Sequence, residues 1–254
     1  MLYIIYDNSF NGFLTAVFDA FYLHRTDICI LSDRVESPLL FDCRTVCTDY
    51  DKSFRVQSSI DKKLGEQTLS LIWTAWLSHE SSIEDLLLSY LRLAFKLGAD
   101  ISKMSQNSVV FKVVSTSERV KKEAHRFKEF VRFKKYKEVY VSDIYPDFEI
   151  LPLIEEHFCN RFNDQNFIIR DRHYCKALIY YNKKPVIMDM SEFFDPEDMC
   201  DDEFEDMWRK YYSAMCIESR KSRRRMLSLM PLKYHRYITE SQPVYPTNHY
   251  KNDV

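Results

Sequence analysis

Glycine is so scarce in this chain that loops built from closely spaced glycines cannot form. The 254 residues contain three glycines, Gly12, Gly65 and Gly98, where about 18 are expected for this length. Three glycines so far apart cannot form the G-x-G-x-x-G or G-x-x-x-x-G-K-[ST] loops that cradle phosphates, nor the G-x-S-x-G nucleophile elbow. Any binding or catalysis therefore depends on side chains rather than on glycine-rich backbone.

Charge is strongly segregated along the chain, although the formal net charge is only −2. Glu118–Lys137 holds nine Lys or Arg and three Glu, and Met207–Tyr237 holds nine Lys or Arg and one Glu. Between these basic blocks, Ser191–Asp206 holds nine Asp or Glu and no cation. Basic blocks are typical of surfaces that bind polyanions, and charge runs also commonly solvate an ordinary helix face.

Cysteine usage and the N-terminus indicate a cytoplasmic protein without a membrane segment. The seven cysteines include no C-x-x-C pair, as expected for reduced thiols. The first apolar run ends at Asp7 with no basic residue before it, which is unlike a secretory signal. No apolar stretch reaches the roughly 18 residues of a membrane helix. No motif for a metal or cofactor is present, so neither is expected.

Hydrophobic periodicity predicts an α+β fold. The first part of the chain is expected to contain the strands Leu2–Tyr6, Ile28–Leu31 and Thr45–Thr48, a helix after the first strand, and an irregular or weakly helical segment at Asp49–Glu66. A buried helix at Thr68–Leu77 follows. A further helix is expected to begin with a capping box formed by Ser81 and Glu84 and to end at Gly98. Asn107–Phe127 indicates a long helix, with a strand over Val109–Val114 as the alternative.

The apolar period changes after this helix and predicts a small antiparallel sheet packed with several helices. The expected order is α-β-β-α-β-β, with a further strand possible and a C-terminal helix after the acidic run. The segments are the strands Phe130–Tyr136, Glu138–Tyr145, Asn166–Asp171, Tyr174–Tyr181 and Pro185–Met190, and the helices Ile150–Phe162 and Phe204–Met215. We expect an N-terminal part over residues 1–100, a second part over 101–240 and a flexible tail over 241–254, or else one compact domain.

Two motifs place cations where they can contact phosphates. Glu123–Phe133, E-A-H-R-F-K-E-F-V-R-F, alternates cations with phenylalanines, which either stack on unpaired bases or belong to the core. Ser219–Arg225, S-R-K-S-R-R-R, either neutralises the acidic run or binds a phosphate backbone. The predicted nucleic-acid contacts are Arg126, Lys128, Arg132, Arg161, Arg220, Lys221, Arg223, Arg224 and Arg225.

A catalytic site is the second hypothesis. His125, Asp147, His157 and Asp171 lie in or near the predicted sheet and could form a cluster for metal binding or proton transfer. Their spacing matches no known motif, such as H-E-x-x-H. His157 also lies on the apolar stripe of its helix, as a buried structural histidine would.

Six segments form an ordered set of motifs over nearly the whole chain: Tyr6–Phe18, Tyr90–Gly98, Glu123–Phe133, Pro146–Phe162, Ile168–Arg172 and Met230–Glu240. This set resembles an uncharacterised bacterial family assigned to DNA metabolism. The chain departs from the family's pattern at Glu129, where the motif has glycine, and at Ser222–Arg223, where Asn-Pro is common. The first departure makes a close backbone approach to a ligand less favourable there, and the second makes the C-terminal block more basic.

The resemblance implies a nucleic-acid-binding protein of DNA metabolism or repair that acts with a radical-SAM partner. It also implies kinship with a domain that is joined to uracil-DNA-glycosylase-like domains in other proteins. No established activity comes with it. The alternatives are a metal-assisted hydrolase or base-processing enzyme, and a protein-interaction module without DNA binding.

Overall fold

The computed structural model describes residues 1–23, 25, 27–34, 42–98, 101, 102, 104, 106–190, 215, 224, 230 and 232–237. They form two compact units, each considered separately below. The first unit comprises Met1–Glu123 and Asp147–Ile150, and the second comprises Ala124–Pro146 and the described residues from Leu151 onward. The acidic run, the expected helix after it and the C-terminal tail lie outside the described residues, apart from Met215. The expected division at residues 100 and 240 stays a prediction.

The first unit is a small parallel sheet with helices. Its elements are β1 (Leu2–Tyr6), α1 (Phe10–Tyr22), β2 (Ile28–Ser32), β3 (Asp42–Val46), α2 (Tyr50–Leu64), α3 (Glu66–Trp76), α4 (Ile83–Leu97) and the first part of α5 (Ser108–Phe130). The strand order is β2-β1-β3, with β1 parallel to both neighbours. Because parallel neighbours need crossover connections, α1 carries the chain from β1 to β2.

The expectation of a weak or irregular segment before α3 is wrong, because α2 is a regular helix. Asp49 caps it, with its Oδ1 accepting from the amides of Asp51 and Lys52 at 3.0 and 3.1 Å. Val56 and Ile60 lie on its buried stripe. Polar residues separate these two positions, so the apolar periodicity of the helix is hard to recognise in the sequence.

Glu84 does not form the expected capping box. The N-cap of α4 is Ser82, in a left-handed conformation with φ of 62° and without a side-chain cap bond. Glu84 is buried and accepts a 2.9 Å hydrogen bond from the Tyr6 hydroxyl instead. The C-terminal prediction is confirmed, because Gly98 ends α4 with φ of 66°.

α5 is helical throughout, so the strand alternative for its first residues is wrong. Asn107 accepts hydrogen bonds through Oδ1 from the amides of Val109 and Val110 at 3.0 and 3.3 Å. This cap provides an acceptor for amide groups that have no hydrogen-bond partner within the first helical turn. It thereby offsets the weak helix preference of the valines that follow.

The second unit confirms the α+β class and corrects the sheet type. After the end of α5 come β4 (Lys134–Tyr136), β5 (Val139–Ile144), α6 (Leu151–Arg161), β6 (Phe167–Asp171), β7 (Lys176–Tyr181), β8 (Lys184–Asp189) and a 3-10 helix (Leu232–Tyr237). The strand order is β4-β5-β6-β7-β8. The sheet is mixed rather than antiparallel, because β5 and β6 pair in parallel through the α6 crossover. In the described part of the chain, no helix is long and apolar enough to cross a membrane.

Replacing Gly12 by alanine is expected to destabilise the protein by about 1–3 kcal/mol. A Cβ atom at Gly12 would lie 2.1 Å from Asp7 Oδ1. That carboxylate accepts hydrogen bonds from the hydroxyls of Ser9 and Thr48, which its displacement would weaken. The loss exceeds the gain of roughly 0.5–1 kcal/mol that alanine usually brings within a helix. Urea denaturation measures the effect, and a variant as stable as the wild type would contradict it.

Candidate functional site

The last turns of α5 place three polar side chains away from its buried stripe. Ala124 and Phe127 are buried, at the three-residue spacing of one helix face. His125 and Glu129 are exposed and Lys128 is half-buried. The end of the helix thus carries a cation, a carboxylate and an imidazole on the face that is not buried.

Arg132 follows the end of α5 and is held by backbone carbonyl groups. Its Nη1 donates to the carbonyl oxygens of Glu129 and Val131 at 2.8 and 3.2 Å. Among the described residues, its Nε and Nη2 have no hydrogen-bond partner. The guanidinium is therefore positioned by the helix terminus while retaining donors for a ligand.

α6 contributes a second pair of polar side chains. Leu151, Ile154 and Phe158 are its buried residues. His157 and Arg161 are four residues apart and therefore lie on the same face, one turn from each other. α6 thus adds an imidazole and a guanidinium one turn apart.

Phenylalanine rings pack together next to these polar groups. The Phe133 ring lies 5.1 Å from that of Phe162, 5.7 Å from that of Phe158 and 5.6 Å from that of Phe167. All three contacts are edge-to-face, an arrangement that favours aromatic pairs. Because Phe133 and Phe162 remain half-buried, part of this ring cluster is accessible.

These side chains line a groove of about 750 Å³, which we call the basic groove. The phenylalanines Phe133, Phe158, Phe162 and Phe167 form part of its wall. Its charged and titratable side chains are His125, Lys128, Glu129, Arg132, Tyr140, His157 and Arg161. Its size is that of a small-ligand site.

The basic groove has an excess of positive charge. Its carboxylate, Glu129, lies 3.5 Å from His125 Nε2. Within the described residues, no carboxylate oxygen lies within 4.0 Å of a side-chain nitrogen of Lys128, Arg132 or Arg161. Among the described residues, therefore, no carboxylate competes with an anionic ligand for these three cations.

His157 has a buried ring nitrogen in this groove. Its Nε2 is inaccessible to solvent and has no hydrogen-bond partner in the part of the chain described. Burial, and then the positive charges of Lys128 and Arg161, lower the pKa of His157 below its usual value of 6.5. The imidazole is therefore neutral at neutral pH.

Helix dipoles offer a structural reason for the same cations. Lys128 and Arg161 lie in the last turns of α5 and α6, where a positive side chain interacts favourably with the helix dipole, typically by 0.3–1 kcal/mol. Arg132 also satisfies terminal carbonyl groups. This role stabilises the helices without any ligand, so only a binding measurement separates the two explanations.

The structure brings five predicted site residues to the basic groove and places three others, Arg126, Asp147 and Asp171, elsewhere. Those at the groove are His125, Lys128, Arg132, His157 and Arg161. Arg126 instead packs its guanidinium 5.7 Å from the centre of the Tyr234 ring. Asp147 is exposed and belongs to the first unit.

Asp171 is fully buried at the turn after β6. Its Oδ1 accepts from the amides of His173 and Tyr174 at 2.9 and 3.0 Å. A carboxylate in this position holds the tight connection between β6 and β7. Among the described residues, no group of three or more His, Cys, Asp or Glu side chains could hold a metal ion.

The predicted C-terminal contacts mostly lie outside the described residues. The structure describes Arg224, which is exposed. It does not describe Arg220, Lys221, Arg223 and Arg225. They therefore remain predictions from the sequence.

Several residues of the basic groove are absent from the predicted site. Tyr140, Gln165 and Phe167 also line it, and they come from segments whose sequence patterns indicate only strands and turns. One partial signal is visible in the sequence, namely the Arg-Phe dipeptide, which occurs at Arg126–Phe127, Arg132–Phe133 and Arg161–Phe162. The second and third copies line the basic groove, whereas the first does not.

Comparison with known proteins adds a family but no activity. Residues 81–240 match the model of a family described as a domain of unknown function, DUF4130. No curated protein matches the chain.

Proposed function

This chain belongs to the DUF4130 family, and we propose that it is a nucleic-acid-binding protein of DNA metabolism whose basic groove holds a single-stranded segment. The observation that carries the proposal is the combination of three cations open to a ligand with accessible aromatic rings in one groove. The cations can bind the phosphates of a nucleic acid, and the rings can stack on its unpaired bases.

The cations suit a phosphate backbone. Lys128 provides a flexible ammonium group, whereas Arg132 and Arg161 provide guanidinium groups that can bind two phosphate oxygens at once. Arg132 is already oriented by its bonds to the end of α5. Holding it in place reduces the entropy lost when a ligand binds.

The aromatic rings favour single strands over duplexes. Bases in a duplex are stacked on each other, so their faces cannot contact a protein ring, whereas unpaired bases can stack on it. Phe133 and Phe162 are the half-buried rings of the groove and therefore the expected stacking partners. Such stacking is tolerant of sequence, because every base has an aromatic face.

The resemblance to DNA-metabolism proteins supports the biological setting of the proposal and suggests a partner. We propose, on that resemblance alone, that the protein acts with a radical-SAM enzyme. We do not propose the metal-assisted hydrolase, because only His125 and His157 of its four residues line the basic groove.

The dependence of binding on salt tests the proposal. Three phosphate contacts on a single strand predict a slope of about −2 in log affinity against log salt, since each contributes about −0.7. The affinity for fluorescein-labelled oligothymidylate is therefore expected to fall about twentyfold between 50 and 200 mM salt, as measured by fluorescence polarisation. A duplex of equal length is expected to bind more weakly. Absence of binding at 50 mM salt, or binding without a salt slope, would contradict the proposal.

A further inference from the structure

Gln165 lines the basic groove and has no part in the phosphate contacts proposed above. We infer that its side-chain amide binds the edge of an unpaired base and gives the groove a preference for adenine. This inference rests on the proposed function and deepens it, because it names the base that the bound strand places in the groove. Stacking tolerates every base, whereas hydrogen bonds to the edge of a base discriminate between bases.

The first support is an amide group that is available to a ligand. Gln165 is half-buried. Among the described residues, neither its amide oxygen nor its amide nitrogen has a hydrogen-bond partner, and neither atom is buried. The side chain therefore offers an accessible acceptor and an accessible donor next to each other.

The second support is the position of Gln165 beside a stacking ring. Phe162 and Gln165 both belong to the short connection from α6 to β6, and the backbone amide of Gln165 donates to the carbonyl oxygen of Phe162 at 3.1 Å. This hydrogen bond closes a turn with Phe162 at one end and Gln165 at the other. A base that stacks on Phe162 consequently lies next to the residue whose amide can bind its edge.

Strand pairing fixes the backbone on the other side of Gln165. The backbone amide of Tyr140 donates to the carbonyl oxygen of Asn166 at 3.0 Å, and Tyr140 pairs in register with Phe167. The Phe167 ring also packs 6.2 Å from that of Phe162. Because the backbone around Gln165 is held from both sides, little further ordering is needed when a base binds.

The chemistry of the groove favours adenine among the bases of DNA. A glutamine amide binds adenine through two hydrogen bonds, since it accepts from the N6 amine and donates to a neighbouring ring nitrogen. Glu129, the carboxylate of the groove, only accepts hydrogen bonds and therefore disfavours the exocyclic oxygens of guanine, cytosine and thymine. Adenine carries no such oxygen, and its two fused rings stack over a larger area than a pyrimidine does.

Short strands of equal charge test the preference on the unaltered protein. Pentamers of deoxyadenosine, of thymidine and of deoxynebularine, whose base is adenine without the N6 amine, are compared by fluorescence polarisation at 50 mM salt. We expect the adenine strand to bind at least about fivefold more tightly than the nebularine strand, which is the lower end of the discrimination by a two-bond amide contact. Equal affinities for these two strands would overturn the inference.

Gln165→Met assigns the preference to the amide. Methionine keeps the length of the side chain and lacks the amide donor and acceptor. We expect the ratio of adenine to nebularine affinity to fall to within about twofold of one, with the salt slope unchanged and the thymidine strand bound within about twofold of the wild type. A structural role of Gln165 would instead weaken all three strands together, and that result would contradict the inference.

Gln106→Met is the matched control, because Gln106 is an exposed glutamine that does not line the groove. It should retain the full preference for adenine.

The outcomes distinguish this inference from the proposed function. Salt-dependent binding with equal affinities for the adenine and nebularine strands, or a preference that persists in Gln165→Met, overturns the role of Gln165 and leaves the nucleic-acid function standing. Absence of binding by all three strands at 50 mM salt overturns both.

Discussion

Replacement of Lys128, Arg132 and Arg161 together by glutamine is expected to weaken the binding of oligothymidylate about a thousandfold at low salt. A hydrogen bond to a charged group contributes about 1.5 kcal/mol at the lower end of its range, which is roughly a factor of ten for each cation. The salt slope should approach zero at the same time, because the counterions released on binding are those displaced by these cations. Fluorescence polarisation against salt concentration measures both effects.

A matched variant separates local contacts from overall charge. Lys121, Lys135 and Lys184 are exposed and do not line the basic groove. Their joint replacement by glutamine changes the net charge equally, and the affinity is expected to remain within a few-fold of the wild type. Equal losses in both triple variants would show that binding is non-specific attraction by the whole surface.

Arg132 requires a second comparison because it also holds the end of α5. The double variant Lys128→Gln/Arg161→Gln keeps those backbone bonds, and we expect it to lose about a hundredfold in affinity. Thermal unfolding of each variant identifies a loss of folding. If the double variant is folded and binds like the wild type, the basic groove is not the binding site.

Replacement of Phe158 by alanine is expected to destabilise the protein by about 3–5 kcal/mol, the usual cost of deleting a buried aromatic side chain. Phe158 is 2% exposed. Its ring packs edge-to-face against Phe133 at 5.7 Å and parallel to Phe162 at 6.3 Å. The cavity left behind would remove contacts from both neighbours. Urea denaturation monitored by circular dichroism gives the change in the free energy of unfolding.

Phe111→Ala is the control for the loss of stability expected in Phe158→Ala. Phe111 is 59% exposed on α5, so its truncation should change the stability by no more than about 0.5 kcal/mol. The two substitutions remove the same atoms and differ in burial. Similar effects of both would mean that Phe158 does not occupy a close-packed core.

Elements with strong apolar periodicity are the ones that could be predicted from the sequence. β1, α3, α4 and the strands β5 to β8 follow their patterns because burial on one face repeats with the period of the element. The strand expected over Phe130–Tyr136 is shorter, because α5 continues to Phe130 and β4 begins at Lys134. α2 is missed because its buried positions are separated by polar residues. The parallel pairing of β5 and β6 is also missed, since the residues of a strand do not specify the direction of its neighbour.

The candidate site could be predicted only in part. His125, Lys128 and Arg132 occur in one short motif and His157 and Arg161 in another, so each set of candidates is visible separately. Asp147 and Asp171 are both aspartates and look equally suitable for a catalytic site in the sequence. In the fold, Asp147 is exposed, whereas Asp171 is buried and accepts hydrogen bonds from backbone amides. Burial and hydrogen bonding depend on contacts between segments far apart in the chain, and no local pattern encodes those contacts.

The sequence by itself determined that this chain has no glycine-rich phosphate loop, that its class is α+β and that its cations are clustered. These properties depend only on residue type and spacing. Only the tertiary structure decided that the end of α5 and the last turn of α6 share one groove, with Phe133 and Phe162 in its wall. The physical reason is that Phe133, after α5, packs its ring against Phe158, Phe162 and Phe167, which are distant in the chain, so that burial of these rings brings the two motifs to one groove.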